Sequence, residues 1–314
     1  MNLKKFIVKK QMHEPSLKLS DVKPLSQDQV GLAVLGFPIN HSISPQLHNA
    51  ALNELSKRHS EFNNWIYHKI EVDPKNLSSA MLKLAEYGYR GLNLTIPHKV
   101  DVLSYLDKIE ESAKAMGAVN TLLFNGSEWK GFNTDGYGLE KALKGDLSVS
   151  IQTENLVFLG AGGAARACIA HALALGSKSI WIGNRSSKRL KELIKSLETS
   201  FDVSNVNTFT FNEVPDSLCQ ISDPVIINAT SLGLGKTDNS PISLKLFLGD
   251  LKVYDMIYNP SETKLLQEAK LLHFNCSNGL SMLVHQAVRS LEIWTRKKIS
   301  VDAMSKAAKL SYPQ

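Results

Sequence analysis

The segment that most narrows what this chain can fold into is Gly160-Ala161-Gly162-Gly163-Ala164-Ala165. It directly follows the apolar run Asn155–Leu159 and opens a helical stretch reaching Leu175. Glycine at the first and third positions and alanine at the sixth let the chain turn tightly out of a strand and pack the next helix close against it. A strand, a glycine turn and a helix in that order make one half of a parallel βαβ unit. The same turn aims backbone N–H groups at the helix N-terminus, where a pyrophosphate is stabilised. Gly160, Gly162, Gly163 and Ala164 therefore read as a dinucleotide-binding turn, with a purely structural tight turn as the other reading open at this point.

The rest of the chain repeats the alternation. Gly31–Gly36, Trp65–Val72, Gly91–Ile96 and Val119–Phe124 read as strands. Between them Ser44-Pro45 starts a helix with Leu47, Ala51 and Leu55 on one face, Pro74–Tyr87 is helical, and short helices fill 97–114. The second series has strands at Asn155–Leu159, Ser179–Gly183, Pro224–Asn228 and Lys252–Asp255, with a helix from Ser186 to Leu197. Two helices, Leu280–Trp294 and Val301–Leu310, close the chain. Strands alternating with helices throughout predict an α/β fold of mainly parallel sheets covered on both faces. A length of 314 residues, against about 100–200 per domain, predicts two domains, with a boundary in 136–153 where the polar stretch Lys144–Glu154 lies.

Composition removes several classes. With 43% hydrophobic and 21% charged residues the chain is not a disordered one. Cys168, Cys219 and Cys276 are odd in number and widely spaced, with no C-x-x-C pair, which argues against a disulfide framework or a zinc site and favours a reducing, cytoplasmic setting. The net charge of +6 is uneven: residues 1–24 carry +4 and the other 290 only +2. A nearly neutral body has no need of a nucleic acid as partner. Residues 1–30 read as a solvated extension, since Phe6-Ile7-Val8 is much shorter than a secretory core. Leu156–Gly176 is the one span-like stretch, but Arg166, His171 and the glycines make it a buried βα turn rather than a membrane helix.

Polar residues cluster where strands end. Asn93 and Thr95 share one face of an otherwise apolar strand, and Pro97 then turns the chain and delivers Lys99. Ser42 and Ser44 lie between a strand and a helix, suited to a carboxylated or polyhydroxylated ligand, although Ser44 alone also serves as a helix cap. Asn120-Thr121 and Asn133-Thr134-Asp135-Gly136 add two more such clusters, each of which alone also reads as a turn. At the end of the second strand after the glycine turn, NAD binders place an acid to hold the ribose hydroxyls. Here Asn184-Arg185-Ser186-Ser187-Lys188-Arg189 offers cations, and guanidinium groups suit a 2′-phosphate. Lys188 and Lys191 are equally consistent with the solvated face of a helix that buries Leu190, Leu193, Ile194 and Leu197.

Taken in order, the strings GFPINHSISPQLHNA, LNLTIPHK, GAVNT, GFNTDGYG, GAGGAAR, NRSSKR, NATSLGL, YDMIY and NGLSMLVHQA resemble the shikimate dehydrogenases, from Gly36 to Trp294. The resemblance implies reversible oxidation of the 3-hydroxyl of shikimate to 3-dehydroshikimate with hydride passed to NADP, a step of aromatic amino-acid biosynthesis. It implies Lys99 and Asp135 as the catalytic pair, without saying which takes the proton. Ser42, Ser44 and Tyr258 would hold the substrate carboxylate, and Asn93, Thr95, Asn120 and Gln286 its hydroxyls. Gly160, Gly162, Gly163, Ala164, Asn184, Arg185, Ser186, Arg189, Thr230, Met256 and Gly279 would hold NADP. The partner implied is the small-molecule substrate, with no metal, nucleic acid or membrane, and the chain would be a monomer or homodimer. The implied organisation is a substrate-binding and catalytic domain of 31–135 with 280–314 and a Rossmann-type NADP domain of 136–279, with the site in the cleft between. Ser186 replaces the threonine of the family's NRT-x-x-R pattern and keeps its hydroxyl, Phe132 stands where many relatives are polar, and His98 and His285 are assigned no role. Two rivals share these motifs: an NAD-preferring quinate/shikimate dehydrogenase, against which the arginines speak, and a catalytically silent nucleotide-sensing module, against which Lys99 and Asp135 speak.

Overall fold

The computed structural model describes residues 15–235 and 237–312. The chain forms two compact units. Among the described residues, unit 1 takes 15–114, Ala118–Thr134 and 287–312, and unit 2 takes Ala115–Gly117 and the described part of Asp135–Gln286.

In chain order the elements of unit 1 are β1 (Leu17–Lys18), β2 (Val30–Gly36), α1 (Ser44–Ser56), β3 (Trp65–Glu71), α2 (Leu77–Glu86), β4 (Tyr89–Leu94), α3 (His98–Asp101), β5 (Lys108–Ile109), α4 (Glu111–Met116, whose last two residues fall in unit 2), β6 (Thr121–Phe124) and β7 (Trp129–Phe132). Its sheet runs β1-β3-β2-β4-β6-β7-β5. The β1, β3, β2 and β4 pairings are parallel, and β6 is antiparallel to both neighbours. Helix α1 starts with Pro45 in its first turn and buries Leu47, Ala51 and Leu55, the stripe expected from their spacing.

Unit 2 opens with α5 (Asp135–Leu147) and continues with β8 (Asn155–Leu159), α6 (Gly163–Ala174), β9 (Ser179–Asn184), α7 (Ser187–Leu197), β10 (Val206–Thr210), α8 (Asp216–Cys219), β11 (Val225–Asn228), β12 (Lys252–Asp255), α9 (Lys264–Leu271) and β13 (Asn275–Asn278). The order β10-β9-β8-β11-β12-β13, all parallel, is that of a Rossmann-type dinucleotide-binding sheet. Helix α10 (Leu280–Thr295) passes from unit 2 to unit 1 at Gln286/Ala287, and α11 (Val301–Ser311) ends the chain. The indole of Trp294, at the far end of α10, is fully buried in unit 1 and donates to Leu122 O at 2.9 Å.

Residues 15–30 correct the expectation of a solvated extension; residues 1–14 lie outside the described part. Leu17 and Lys18 pair with Ile70 and Glu71 at the edge of the sheet. Val22 is buried, and Leu17, Leu19 and Leu25 pack on the core of unit 1. The Lys83 ammonium donates to Leu19 O at 2.8 Å, and Leu25 N–H donates to Tyr87 O at 3.1 Å. Four apolar residues separated by polar ones have no helical or strand period, so only the packed structure shows them facing one core. Deleting residues 1–28 is therefore expected to destabilise unit 1 by on the order of 3–6 kcal/mol, given about 1.5–3 kcal/mol for each fully buried aliphatic side chain and less for the partly buried ones. The check is the urea midpoint of the truncated chain; a midpoint equal to that of the full chain restores the extension reading.

Candidate active site

In unit 1 the sequence-predicted polar residues gather at the carboxyl ends of β2 and β4. The loop after β2 brings Ser42 against Ser44, the first residue of α1: the Ser42 hydroxyl donates to Ser44 Oγ at 3.2 Å and accepts from the Ser44 N–H at 3.3 Å. Beneath this loop Lys69 of β3 is 8% exposed, and its ammonium donates to Asn40 O at 2.9 Å and Ser42 O at 3.4 Å. Tyr67, two residues earlier on the same face of β3, is fully buried and donates to Asn93 Oδ1 at 2.8 Å. Its ring stacks on that of His48 with centroids 4.1 Å apart and planes 1° from parallel. Burial lowers the His48 pKa to about 3, so this ring is neutral, and it raises the Tyr67 phenol well above its usual range against a smaller opposing hydrogen bond with Ser44.

Asn93 is the hub. Its Nδ2 group faces Thr121 Oγ1 and Ser290 Oγ, both at 3.0 Å, and Asn120 O at 3.2 Å. Asn120 Nδ2 donates to Thr134 Oγ1 at 2.9 Å, and its Oδ1 accepts from Thr134 N–H and Thr121 Oγ1, each at 2.9 Å. Thr121 and Ser290 hydroxyls lie 2.8 Å apart. A buried network of this kind fixes every member's orientation, because a broken bond strands a polar group away from water.

Strand β4 ends at Leu94, so Thr95 lies one residue beyond it, still tied to the sheet by its N–H to Leu35 O at 3.0 Å. Lys99 sits in the short helix α3, and its carbonyl accepts from Val119 N–H at 2.8 Å, which ties it to the segment leading into Asn120. The neighbouring His98 is fully buried, and its Nε2 lies 2.9 Å from Val72 O, a contact that makes this nitrogen the donor. Burial lowers its pKa. His98 thus anchors the turn that presents Lys99. The chain reaches Asp135 directly after Thr134; the carboxylate opens α5 and is 5% exposed.

Unit 2 holds Asp135, Tyr258, Gln286 and all the residues predicted for a dinucleotide. Gly160 has φ +119°, a conformation that side chains rarely adopt, and a Cβ there would fall 2.9 Å from Ala229 O. Gly162 precedes α6 with no side chain capping the helix, and the space where its Cβ would project is open to 4 Å. An uncapped helix N-terminus facing open space after a glycine turn is what a pyrophosphate requires, so the residues present fit a dinucleotide. At the end of β9, Asn184 Nδ2 donates to Ser186 O at 3.2 Å, and Ser186 caps α7 by accepting from Arg189 N–H at 3.4 Å. Arg185 and Arg189 are exposed there with no acid in Asn184–Arg189. Lys188 lies 4.0 Å from Glu192 on the outer face of α7, which favours the solvated reading of that lysine. Thr230, Met256 and Gly279 follow the ends of β11, β12 and β13, and Gln286 Nε2 donates to Leu283 O at 2.9 Å.

Sequence reasoning missed Tyr67, Lys69 and Ser290. Two of them carried a signal: in Trp65-Ile66-Tyr67-His68-Lys69 the alternation puts Tyr67 and Lys69 on one strand face, and a lysine inside a central strand needs a buried partner. Ser290 lies one helical turn beyond Gln286 on an apolar helix, a spacing that by itself indicates nothing.

Comparison with known proteins gives consistent matches. The family model for the shikimate dehydrogenase substrate binding domain matches residues 34–122, and that for the shikimate 5′-dehydrogenase C-terminal domain matches 279–309. A shikimate dehydrogenase (NADP(+)) of Methanobrevibacter smithii is 38% identical over 278 residues, covering 88% of this chain and 94% of the relative. A crystal structure of a shikimate dehydrogenase in complex with NADP+ superposes with a TM-score of 0.80 at 32% identity, over 91% of this chain and 96% of that one. The Thermus thermophilus shikimate 5-dehydrogenase in complex with NADP(H) and shikimate does so with a TM-score of 0.77 at 29% identity, over 90% of this chain and all of that one. With relatives matched along nearly their whole length, the glycine turn, the substrate motifs and the sheet order converge, and the chain belongs to the shikimate dehydrogenase family.

Proposed function

We propose that the protein interconverts shikimate and 3-dehydroshikimate with NADP as cofactor. The observation that carries this reading is the pairing of a buried hydroxyl-and-amide network at the strand ends of unit 1 with a Rossmann-type sheet whose β9 is followed by Arg185 and Arg189 with no acid between Asn184 and Arg189. Near-full-length relatives named for the NADP enzyme support it. NADP+, when bound, supplies the hydride acceptor.

The chain's own residues then have distinct tasks. Ser42, Ser44 and Tyr258 bind the substrate carboxylate, and Lys69 places positive charge behind the serine loop. Asn93, Thr95, Asn120 and Gln286 orient the ring hydroxyls, with Asn93 and Asn120 held by Tyr67, Thr121, Thr134 and Ser290. A carbonyl forms from the 3-hydroxyl only if its proton leaves as hydride departs, and Lys99 with Asp135 holds and moves that proton. In unit 2 the glycine turn at Gly160, Gly162, Gly163 and Ala164 takes the pyrophosphate. Asn184, Arg185, Ser186 and Arg189, at β9, take the phosphorylated ribose. On the opposite side of β8 the ends of β11, β12 and β13 lie next in the sheet, so Thr230, Met256 and Gly279 take the nicotinamide half. The three free cysteines are in keeping with a reducing, cytoplasmic setting.

The test is a single assay crossing shikimate and quinate with NADP+ and NAD+, followed by absorbance of the reduced cofactor. Turnover greatest for shikimate with NADP+ is expected; preference for quinate with NAD+ transfers the chain to the quinate-using relatives, and no turnover of any pair makes it a silent binder.

A further inference from the structure

We infer that Asp255 is a positioning residue for the cofactor, its carboxylate setting the two loops after β11 and β12 that carry Thr230 and Met256. Asp255 is the last residue of β12 and is fully buried. Three donors from three different segments converge on it. Its Oδ1 accepts from Asn228 Nδ2 and from the Ile257 N–H, each at 3.0 Å, and its Oδ2 accepts from the Thr263 hydroxyl at 2.6 Å. A carboxylate buried among neutral groups is costly unless its lone pairs are filled, so these bonds hold one another in place. Burial raises its pKa while the three donors act in the opposite direction.

Each donor passes the constraint onward. Asn228 Oδ1 accepts from the Thr230 N–H at 3.0 Å and from the Thr230 hydroxyl at 2.7 Å, and Thr230 Oγ1 accepts from Leu232 N–H at 3.0 Å. Orienting the Asn228 amide through Asp255 therefore orients Thr230. Met256 lies between Asp255 and Ile257, and its N–H donates to Asn228 O at 2.9 Å. On its other side a Cβ at Gly279 would fall 2.0 Å from Met256 O, so only glycine lets the backbones approach this closely. Thr263, the third donor, caps α9 by accepting from Leu266 N–H at 3.4 Å. The carboxylate thus fastens together the ends of β11 and β12 and the start of α9. Among the described bonds none runs from this cluster to Asn184–Arg189, so the clamp acts on the Thr230 and Met256 side of the sheet alone.

The inference rests on the proposed placement of the nicotinamide half at Thr230 and Met256, and the experiment separates the two. Asp255→Asn in the full chain turns one acceptor into an amino group facing the Thr263 hydroxyl. Calorimetry then measures the dissociation constants of NADP+ and of 2′-phospho-ADP-ribose, which lacks nicotinamide, alongside kcat and KM. Expected are a fall in kcat/KM for NADP+ of at least about tenfold, weaker NADP+ binding, and fragment binding unchanged within roughly twofold. Equal weakening of both ligands, or of neither, overturns the inference, because a merely structural role has no reason to spare the fragment. Should Asp255→Asn fail to fold, Thr263→Val, which removes one donor and keeps the shape, is expected to show the same split to a smaller degree, and Thr263→Ser to restore it. Met256→Ala is the control for the underlying reading. If it leaves NADP+ binding and kcat untouched, the nicotinamide lies elsewhere and both reading and inference fall. If it weakens them while Asp255→Asn does not, the inference alone falls.

Discussion

Lys99→Ala and Asp135→Asn each lower turnover by roughly 10²–10⁴-fold with shikimate and NADP+ saturating, the range for loss of a positioned acid–base group. Oxidation of a secondary alcohol strands a proton on the new carbonyl unless a group receives it. Substrate affinity is expected to suffer less, because neither change removes Ser42, Ser44, Asn93 or Asn120, the groups proposed to bind the carboxylate and hydroxyls. Lys99 itself is set by a backbone bond, Val119 N–H to Lys99 O, which the side-chain substitution does not touch, so the variant is expected to fold. Steady-state kcat and KM for both substrates, with a thermal melt as the folding control, make the check. Near-normal turnover in either variant removes that residue from the proton path.

Neutralising Arg185 and Arg189 together raises the KM for NADP+ by roughly tenfold for each arginine, less whatever the two share. The 2′-phosphate is the only group that distinguishes NADP from NAD, and these two exposed arginines follow β9, one directly and one in the first turn of α7, in a stretch with no acid. Exposed charges are screened, so the comparison belongs at one fixed ionic strength. NAD+, lacking the phosphate, keeps its KM. Equal weakening of both cofactors assigns the arginines to the shared adenosine or to helix α7 and withdraws the physical basis for NADP preference. Asn184 and Ser186 are the internal reference, because they hold the same turn through side-chain bonds that do not depend on the arginines' charge.

The sequence by itself determined most of unit 2. Asn155–Leu159, Gly160–Ala165 and Ser187–Leu197 are governed by local rules: an apolar run, a glycine turn and a helix with one apolar stripe, all of which repeat within a few residues. The edge strands β10 and β13 escaped notice because Val206–Thr210 and Asn275–Asn278 are largely polar and exist only by pairing with a neighbour. In unit 1 the edge strands β1 and β5 are only two residues long, and β7, Trp129-Lys130-Gly131-Phe132, is a four-residue strand held between β6 and β5. Motif resemblance named the residues proposed to meet the ligands, since these lie in short contiguous strings. Only the tertiary structure decided what holds them. Asn93 is joined to Ser290 across 197 residues, Lys69 to the Asn40 carbonyl across 29, and Asp255 to Asn228 across 27. The N-terminal residues 17–25, read as solvated from their charge, are packed by four apolar side chains without any period. Such contacts are specified by where strands register in a sheet and which faces are left to be covered, quantities that belong to the folded chain and are carried by no single stretch of it.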